Sequence, residues 1–448
     1  VQTCALPIYS MDKKITAILI VAILVIAAAS IAVILNGGDD SNNNENKVTG
    51  NLTVLGNADN DNDLDENDIT VIREIISAGY WDKTKYPYAD ANNDDKITED
   101  DVTYLQNLMK RKNATPTLMF YENSYGDIAS VRFPVTGNIG TMYWEQADLA
   151  ILLGLWDRVK AVGSGSLSEV KNPGWTSLYS YGKGYNAEPE VVAKSYDAAG
   201  VTAVIAYVQG DGSAKEIDSY LKGTNSKIDL LCLPKTLNAG VVTGGVLLCA
   251  EERSEKYMAY HDEVMDYVEK KIGNKTNAPS CVTIMLKSNT STSDLRFLND
   301  STTGVPNGLY TYMKQSPSTV YIVEPTNSYA THTDIEWLNG KNPDWIICCS
   351  SGAWTSGNTK EQNQAEFDKQ CDDLFSSTNA YKNKQIICSA NGTMNSYYGA
   401  FAYAKLLSYM YDEIEDSFAD KMIQNFFDEK FAFYTLDNFP SYQFYTMS

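Results

Sequence analysis

The chain has 448 residues and a net charge of −21 at neutral pH, from 57 Asp and Glu against 36 Lys and Arg. That length is long for one domain, and the acidity argues against a nucleic-acid binder, which needs a basic face. With only two His, a His-built transition-metal or catalytic centre is nearly excluded, while 30 Tyr supply abundant aromatic surface.

Residues 1–10 begin VQTCALPI, which matches the translation of a common sequencing-library adapter; they are expected to be an assembly artefact, with Met11 as the start. Asp12, Lys13 and Lys14 then precede an apolar run over residues 15–35, interrupted only by Thr16 and Ser30. As a helix this run is long enough to cross a hydrocarbon core, so residues 11–36 are expected to be an uncleaved transmembrane anchor, with a cleaved signal peptide as the alternative. The lysines before the span place the bulk of the chain outside the cell, on a single-pass cell-membrane protein. Residues 37–50 read as a polar linker.

Residues 56–70, GNADNDNDLDENDIT, crowd carboxylates too densely for any core. Counting from Asn57, oxygen-bearing side chains occupy positions 1, 3, 5 and 7 (Asn57, Asp59, Asp61, Asp63), Leu64 position 8 and Asp68 position 12. Alternating donors closed by a carboxylate in the following helix are the spacing of a calcium loop. A helix is expected next, because Ile69, Ile72, Ile75 and Ile76 recur at helical spacing. The pattern returns 33 residues later with Asp90, Asn92, Asp94, Lys96 (through its backbone carbonyl), Ile97 and Asp101, followed by Val102, Leu105 and Leu108. Two copies in register favour two calcium ions over a solvated linker. The loops depart from an EF-hand in ending with Asp and in placing Asn62 or Asp95 where Gly is usual at position 6. Paired loop-helix units of this kind resemble the dockerin module, here over residues 51–114. The resemblance implies a small all-α plug that docks, calcium-loaded, into a cohesin domain, with Glu66, Asn67, Glu99 and Asp100 facing that partner.

From residue 117 onward, short apolar runs alternate with helical patterns. AVIAY, IDLLCLP, CVTIML, TVYIVE, DWIICCS and KQIICSA read as buried strands, and ADLAILLGL and SEKYMAYHDEVMDYVEKKI as helices. This order predicts an α/β architecture with mostly parallel sheets and ligands beyond the strand C-termini. The cysteines from Cys232 onward show no metal-ligand spacing and read as small buried hydrophobes.

EQADLAILLGLWDRVKAVGSG, AEPEVVAKSYDAAGVTAVIAY, TDIEWLNGKNPDWIICCSSG and YYGAFAYAKLLSYMY resemble the helix and strand segments of class III ABC-transporter substrate-binding proteins, which serve iron-siderophores, haem, cobalamin and related chelates. The resemblance implies a two-lobed periplasmic-binding-protein fold, with lobe one over residues 117–250, a long inter-lobe helix over residues 251–273 and lobe two over residues 274–448. It also implies an ABC permease as partner, met by one exposed Glu per lobe: Glu190 or Glu188 in the first and Glu336 in the second. Aromatic residues at strand ends are the expected cleft lining: Tyr143, Trp144, Trp175, Tyr207, Trp354 and Tyr397. Arg residues suited to an anionic siderophore are few, namely Arg132, Arg158 and Arg296.

No G-x-S-x-G elbow, P-loop or H-E-x-x-H motif appears, and catalytic residues are not expected. The leading expectation is therefore a binding protein, not an enzyme, that captures a metal chelate for import. The alternatives are a carbohydrate-active or carbohydrate-binding protein of a cellulosome-like complex, because dockerins often accompany glycoside hydrolases, and a structural surface adhesin.

Overall fold

The computed structural model describes residues 52–111, 117–163, 179–181, 188–206, 213–224, 226–234, 236–273, 275, 277–287, 289–298, 320–321, 330–350, 359–390, 397–432 and 444–447. The apolar run expected to form the anchor lies outside these residues, and among the described ones no helix is long and apolar enough to cross a membrane. Thr49–Ser448 forms one compact unit.

The two expected loop-helix units are present. Helix α1 (Glu66–Ala78) is capped by Asp65 and Asp68, and α2 (Glu99–Lys110) by Thr98 and Asp101, each pair forming a reciprocal capping box. α1 ends at Gly79 in the left-handed conformation, φ 61°. Ile69, Ile72 and Ile75 of α1 bury against Val102 and Leu105 of α2, with Ala58, Ala89 and Ala91 closing the small core.

A hairpin of β1 (Thr117–Glu122) and β2 (Ile128–Phe133) follows, which the sequence reading did not identify. Lobe one is built from β3 (Asn138–Thr141), α3 (Trp144–Leu152), β4 (Val159–Gly163), β5 (Tyr179–Tyr181), α4 (Pro189–Ala198), β6 (Val201–Ile205), α5 (Ser213–Gly223) and β7 (Asp229–Leu231). Its sheet has the order β5-β4-β3-β6-β7 and is parallel throughout. Such a sheet is covered on both faces, which explains its continuous apolar runs. Gly140 in the central strand is required by packing: a Cβ there would lie 2.5 Å from Tyr196 Cε1.

Two helices carry the chain out of lobe one, α6 (Leu237–Leu247) and the 22-residue α7 (Glu251–Ile272). Lobe two contains β8 (Ser280–Leu286), β9 (Leu295–Leu298), β10 (Val320–Tyr321), β11 (Ala330–Thr333), α8 (Ile335–Lys341), β12 (Trp345–Ser350), α9 (Lys360–Phe375), α10 (Asn379–Lys382), β13 (Ile386–Ala390), α11 (Gly399–Met410), α12 (Asp416–Asp428) and β14 (Tyr445–Thr446). The sheet runs β11-β9-β8-β12-β13-β14, with β10 also pairing β8. β8, β12 and β13 are parallel, while β9, β11 and β14 join antiparallel.

α7 passes from one apolar core into another. Tyr257, Met258, Tyr260 and Val264 pack with lobe-one residues such as Leu149 and Val246, whereas Val268 and Ile272 pack with Cys281, Trp345 and Ile387 of lobe two. α11 does the same, with Ala400 and Phe401 in the first core and Tyr403, Leu406 and Leu407 in the second. Two helices thus tie the lobes together.

Candidate functional site

The two acidic loops repeat one hydrogen-bond pattern. In the first, Asp68 is fully buried; its Oδ1 accepts the N–H of Ala58 at 2.7 Å and of Asp59 at 3.3 Å, and its Oδ2 that of Asp65 at 2.9 Å. In the second, Asp101 accepts Asn92 N–H on Oδ1 at 3.3 Å and Thr98 N–H on Oδ2 at 2.8 Å. The first ligand position is equally matched: Asn57 Oδ1 accepts Asp61 N–H and Asp90 Oδ1 accepts Asp94 N–H, both at 3.1 Å. Asp95, where Gly is usual, adopts φ 65°, a left-handed conformation that Gly enters with less strain.

Crowding shows in the protonation equilibria. Burial first, then the charge of Asp59, pushes the Asp68 carboxyl up to about 8. Asp63, although exposed at the loop surface, is pushed up to about 6 by partial desolvation and then by Asp61, Asp65, Asp59 and Glu255. Asp59, Asp90 and Asp101 are also raised, each mainly by burial. Asp59 Oδ1 is buried with no hydrogen-bond partner. Such carboxylates gain from a counter-cation, and an all-oxygen donor set is the hard-ligand chemistry of calcium. The ligands do not already converge: among the described residues no three His, Cys, Asp or Glu side chains form a metal cluster. Asp63, Asp94 and Lys96 point into solvent, and the buried carboxylates are turned onto their own loop's N–H groups.

Glu66, Asn67, Glu99 and Asp100 are all exposed. Asn67 Nδ2 donates to Asp65 Oδ2 at 2.8 Å, and Glu99 lies 3.9 Å from Arg73 Nε across the two helices.

Glu188, Glu190 and Glu336 are likewise exposed. Glu188 is the N-cap of α4 and Glu190 lies in its first turn, where Lys194 Nζ contacts its Oε1 at 2.6 Å and holds the carboxyl below the usual range. Val191 beside it is half exposed. Glu336 occupies the first turn of α8 behind the Asp334 N-cap.

Of the cleft aromatics, Trp175, Tyr207 and Trp354 lie outside the described residues, and Trp144 opens α3. Tyr143 is half-buried at the N-cap of α3, just beyond the C-terminal end of β3. Tyr397 is buried in the core shared with lobe one, where its carbonyl accepts Tyr257 Oη–H at 3.0 Å. Its phenol is pushed up by burial and by the charges of Glu145 and Asp148, which places the first turns of α3 beside it. These two carboxylates, each 7% exposed, were missed by the sequence reading. Their signal was present as acidic residues three apart in the largely apolar WEQADLAIL.

The arginines prove structural in lobe one. Arg132 forms a forked pair with Asp229, and Arg158 donates to the carbonyls of Val135, Gly137 and Leu248. In lobe two Arg296 reaches the Met285 sulfur. All cysteines among the described residues are unbridged, and burial pushes the Cys232 thiol up to about 12, so it has little thiolate character.

No protein-family model and no curated protein matches the chain. Solved structures do. A TroA-like periplasmic binding protein FepB from Veillonella parvula aligns with TM-score 0.57 at 13% identity, over 73% of this chain and 99% of its own. A periplasmic solute binding protein from Veillonella parvula aligns with TM-score 0.53 at 14% identity, over 72% and 95% of the two chains. The chain therefore has the α/β fold of TroA-like periplasmic binding proteins.

Proposed function

We propose that this chain is an extracytoplasmic solute-binding protein of an ABC importer, capturing a bulky metal chelate such as a ferric siderophore, haem or a cobalamin-like ligand. The observation that carries the reading is the pair of α/β lobes joined through α7, the first with a parallel sheet and the second with parallel central strands β8, β12 and β13; in such open sheets ligands bind beyond the strand C-termini. The names of the two Veillonella parvula proteins of like fold agree with it. Glu190 and Glu336 are the surface carboxylates that meet the permease. Residues 15–35 anchor the protein in the membrane.

The loop-helix pair is proposed to hold two calcium ions. Asn57, Asp59, Asp61, Asp63 and Asp68 hold the first; Asp90, Asn92, Asp94, the Lys96 carbonyl and Asp101 hold the second. Bound calcium supplies the positive charge that lets the buried carboxylates ionise. The exposed Glu66, Asn67, Glu99 and Asp100 then face a cohesin.

Tryptophan fluorescence of the full chain, titrated with ferric siderophores, haem and cobalamins and with cello- and xylo-oligosaccharides as controls, tests the binding reading. Saturable submicromolar quenching by one chelate is the expected result. Sugar binding or turnover with no response to chelates would replace it with the carbohydrate-active alternative, and a flat panel would leave the adhesin.

A further inference from the structure

The acidic pair is built into lobe one rather than tethered to it. Leu52, Val54 and Leu108, each no more than 2% exposed, belong to the same apolar core as Tyr121, Val131, Leu149 and Tyr257. Residues 53–55 add a short third strand to the β1–β2 hairpin: Val54 bridges Tyr121 antiparallel, Leu55 N–H donates to the Phe120 carbonyl at 2.9 Å, and Glu122 N–H to the Thr53 carbonyl at 2.8 Å. Thr53 N–H also reaches Thr243 Oγ1 of α6 at 3.2 Å, and Tyr88 Oη–H donates to Glu122 Oε2 at 3.0 Å.

This seam runs directly into the first loop. Asn57, the first candidate ligand and itself fully buried, donates its Nδ2 to the Leu52 carbonyl at 2.7 Å and the Asp61 carbonyl at 3.1 Å. One side chain therefore ties the loop's closure to the segment that pairs with β1 and α6. The seam also touches the start of the inter-lobe helix. Arg111, just past the end of α2, forms an ion pair with Glu251, the first residue of α7.

We infer that the loop-helix pair is a cation-set brace: occupancy of the first loop stabilises lobe one and the start of α7, through Asn57, the residue 52–55 strand and the Arg111–Glu251 pair. The inference rests on the calcium reading above and adds an intramolecular partner to it. Leu52, Val54 and Leu108 are committed to lobe one, while Glu66, Asn67, Glu99 and Asp100 stay exposed.

The test uses the full chain. Calcium binding is measured by titration calorimetry with calcium chloride, and amide hydrogen exchange is followed over α7 and over β12 and β13 as a distant control, in calcium and in chelator. In the wild type, calcium slows exchange over the first half of α7 and over β1, leaves β12 and β13 unchanged, and raises the thermal midpoint by roughly 5 °C at a hundredfold excess over Kd. The double variant R111A/T243V, which alters no candidate ligand, binds calcium with unchanged stoichiometry but loses most of the protection at α7. Calcium heat with no change at α7 in the wild type overturns the brace and leaves the calcium reading standing. Absence of calcium heat overturns both. Full α7 protection in R111A/T243V overturns the assigned route.

Discussion

Tyr257 offers the sharpest test of how the lobes are held together. It is fully buried on α7, and its hydroxyl donates to the carbonyl of Tyr397, 140 residues away at the entry to α11. Its ring meets Phe431 edge-on at 5.6 Å and Tyr397 at 6.5 Å. Tyr257→Phe keeps these ring contacts and removes only the donor, leaving a buried carbonyl without it. A lost buried hydrogen bond of this kind costs about 1–2 kcal/mol. For a unit of this size that corresponds to a midpoint lowered by roughly 1–3 °C. Tyr257→Ala also empties the ring's volume and should cost about 3–5 kcal/mol. Urea unfolding of the two variants, followed by circular dichroism, separates the polar tie from the packing. A Phe variant as stable as the wild type would refute the claim that this hydrogen bond fastens α11 to α7.

Further consequences follow at other sites. Gly245→Ala in α6 should destabilise by about 1–3 kcal/mol, because the added Cβ would lie 2.3 Å from Ser254 Oγ and 2.7 Å from Ser254 Cβ where α6 meets α7; an unchanged denaturation midpoint would contradict that packing. Asp68 is raised to about 8, above its unfolded value near 4. Folding therefore favours its protonated form, so in chelator the stability it contributes is complete below pH ~4 and is lost as pH rises through about 8. Calcium binding should in turn release protons, seen as a buffer-dependent enthalpy; stability in chelator that rises with pH across this window, in the wild type but not in Asp68→Asn, would contradict the sign. Glu190→Ala with Glu336→Ala should leave chelate affinity unchanged and abolish uptake in cells, whereas weakened affinity would mean that these carboxylates line the cleft.

Where the strands and helices lie was largely legible in the sequence. VTIML, WIICCS and IICSA are short and rich in β-branched residues, and they form β8, β12 and β13 side by side. The reading stopped short where an element lacks periodicity of its own. Leu118, Phe120 and Ile128 alternate with Met119, Tyr121 and Val131 on a hairpin whose two faces are both partly apolar, so no clean alternation marks it. The buried Glu145 and Asp148 were passed over because the surrounding helix reads as plain core. Arg132 and Arg158 were weighed as candidate ligand residues, but their partners, Asp229 and the carbonyls of Val135, Gly137 and Leu248, lie on separate elements.

The 33-residue repeat, the oxygen donors at alternating positions and the capping boxes are local, so the sequence alone determined the two loop-helix units. It also determined an α/β chain, since hydrophobic period and turn residues act over a few positions at a time. Tertiary structure decided what those units pack against. Leu52, Val54 and Leu108 carry the same apolar character whether they close a free-standing module or another domain's core, and only contacts between distant segments place them beside Tyr121 and Tyr257. For the same reason the crossing of α7 and α11 through both cores belongs to the fold, because burial is shared among residues hundreds of positions apart.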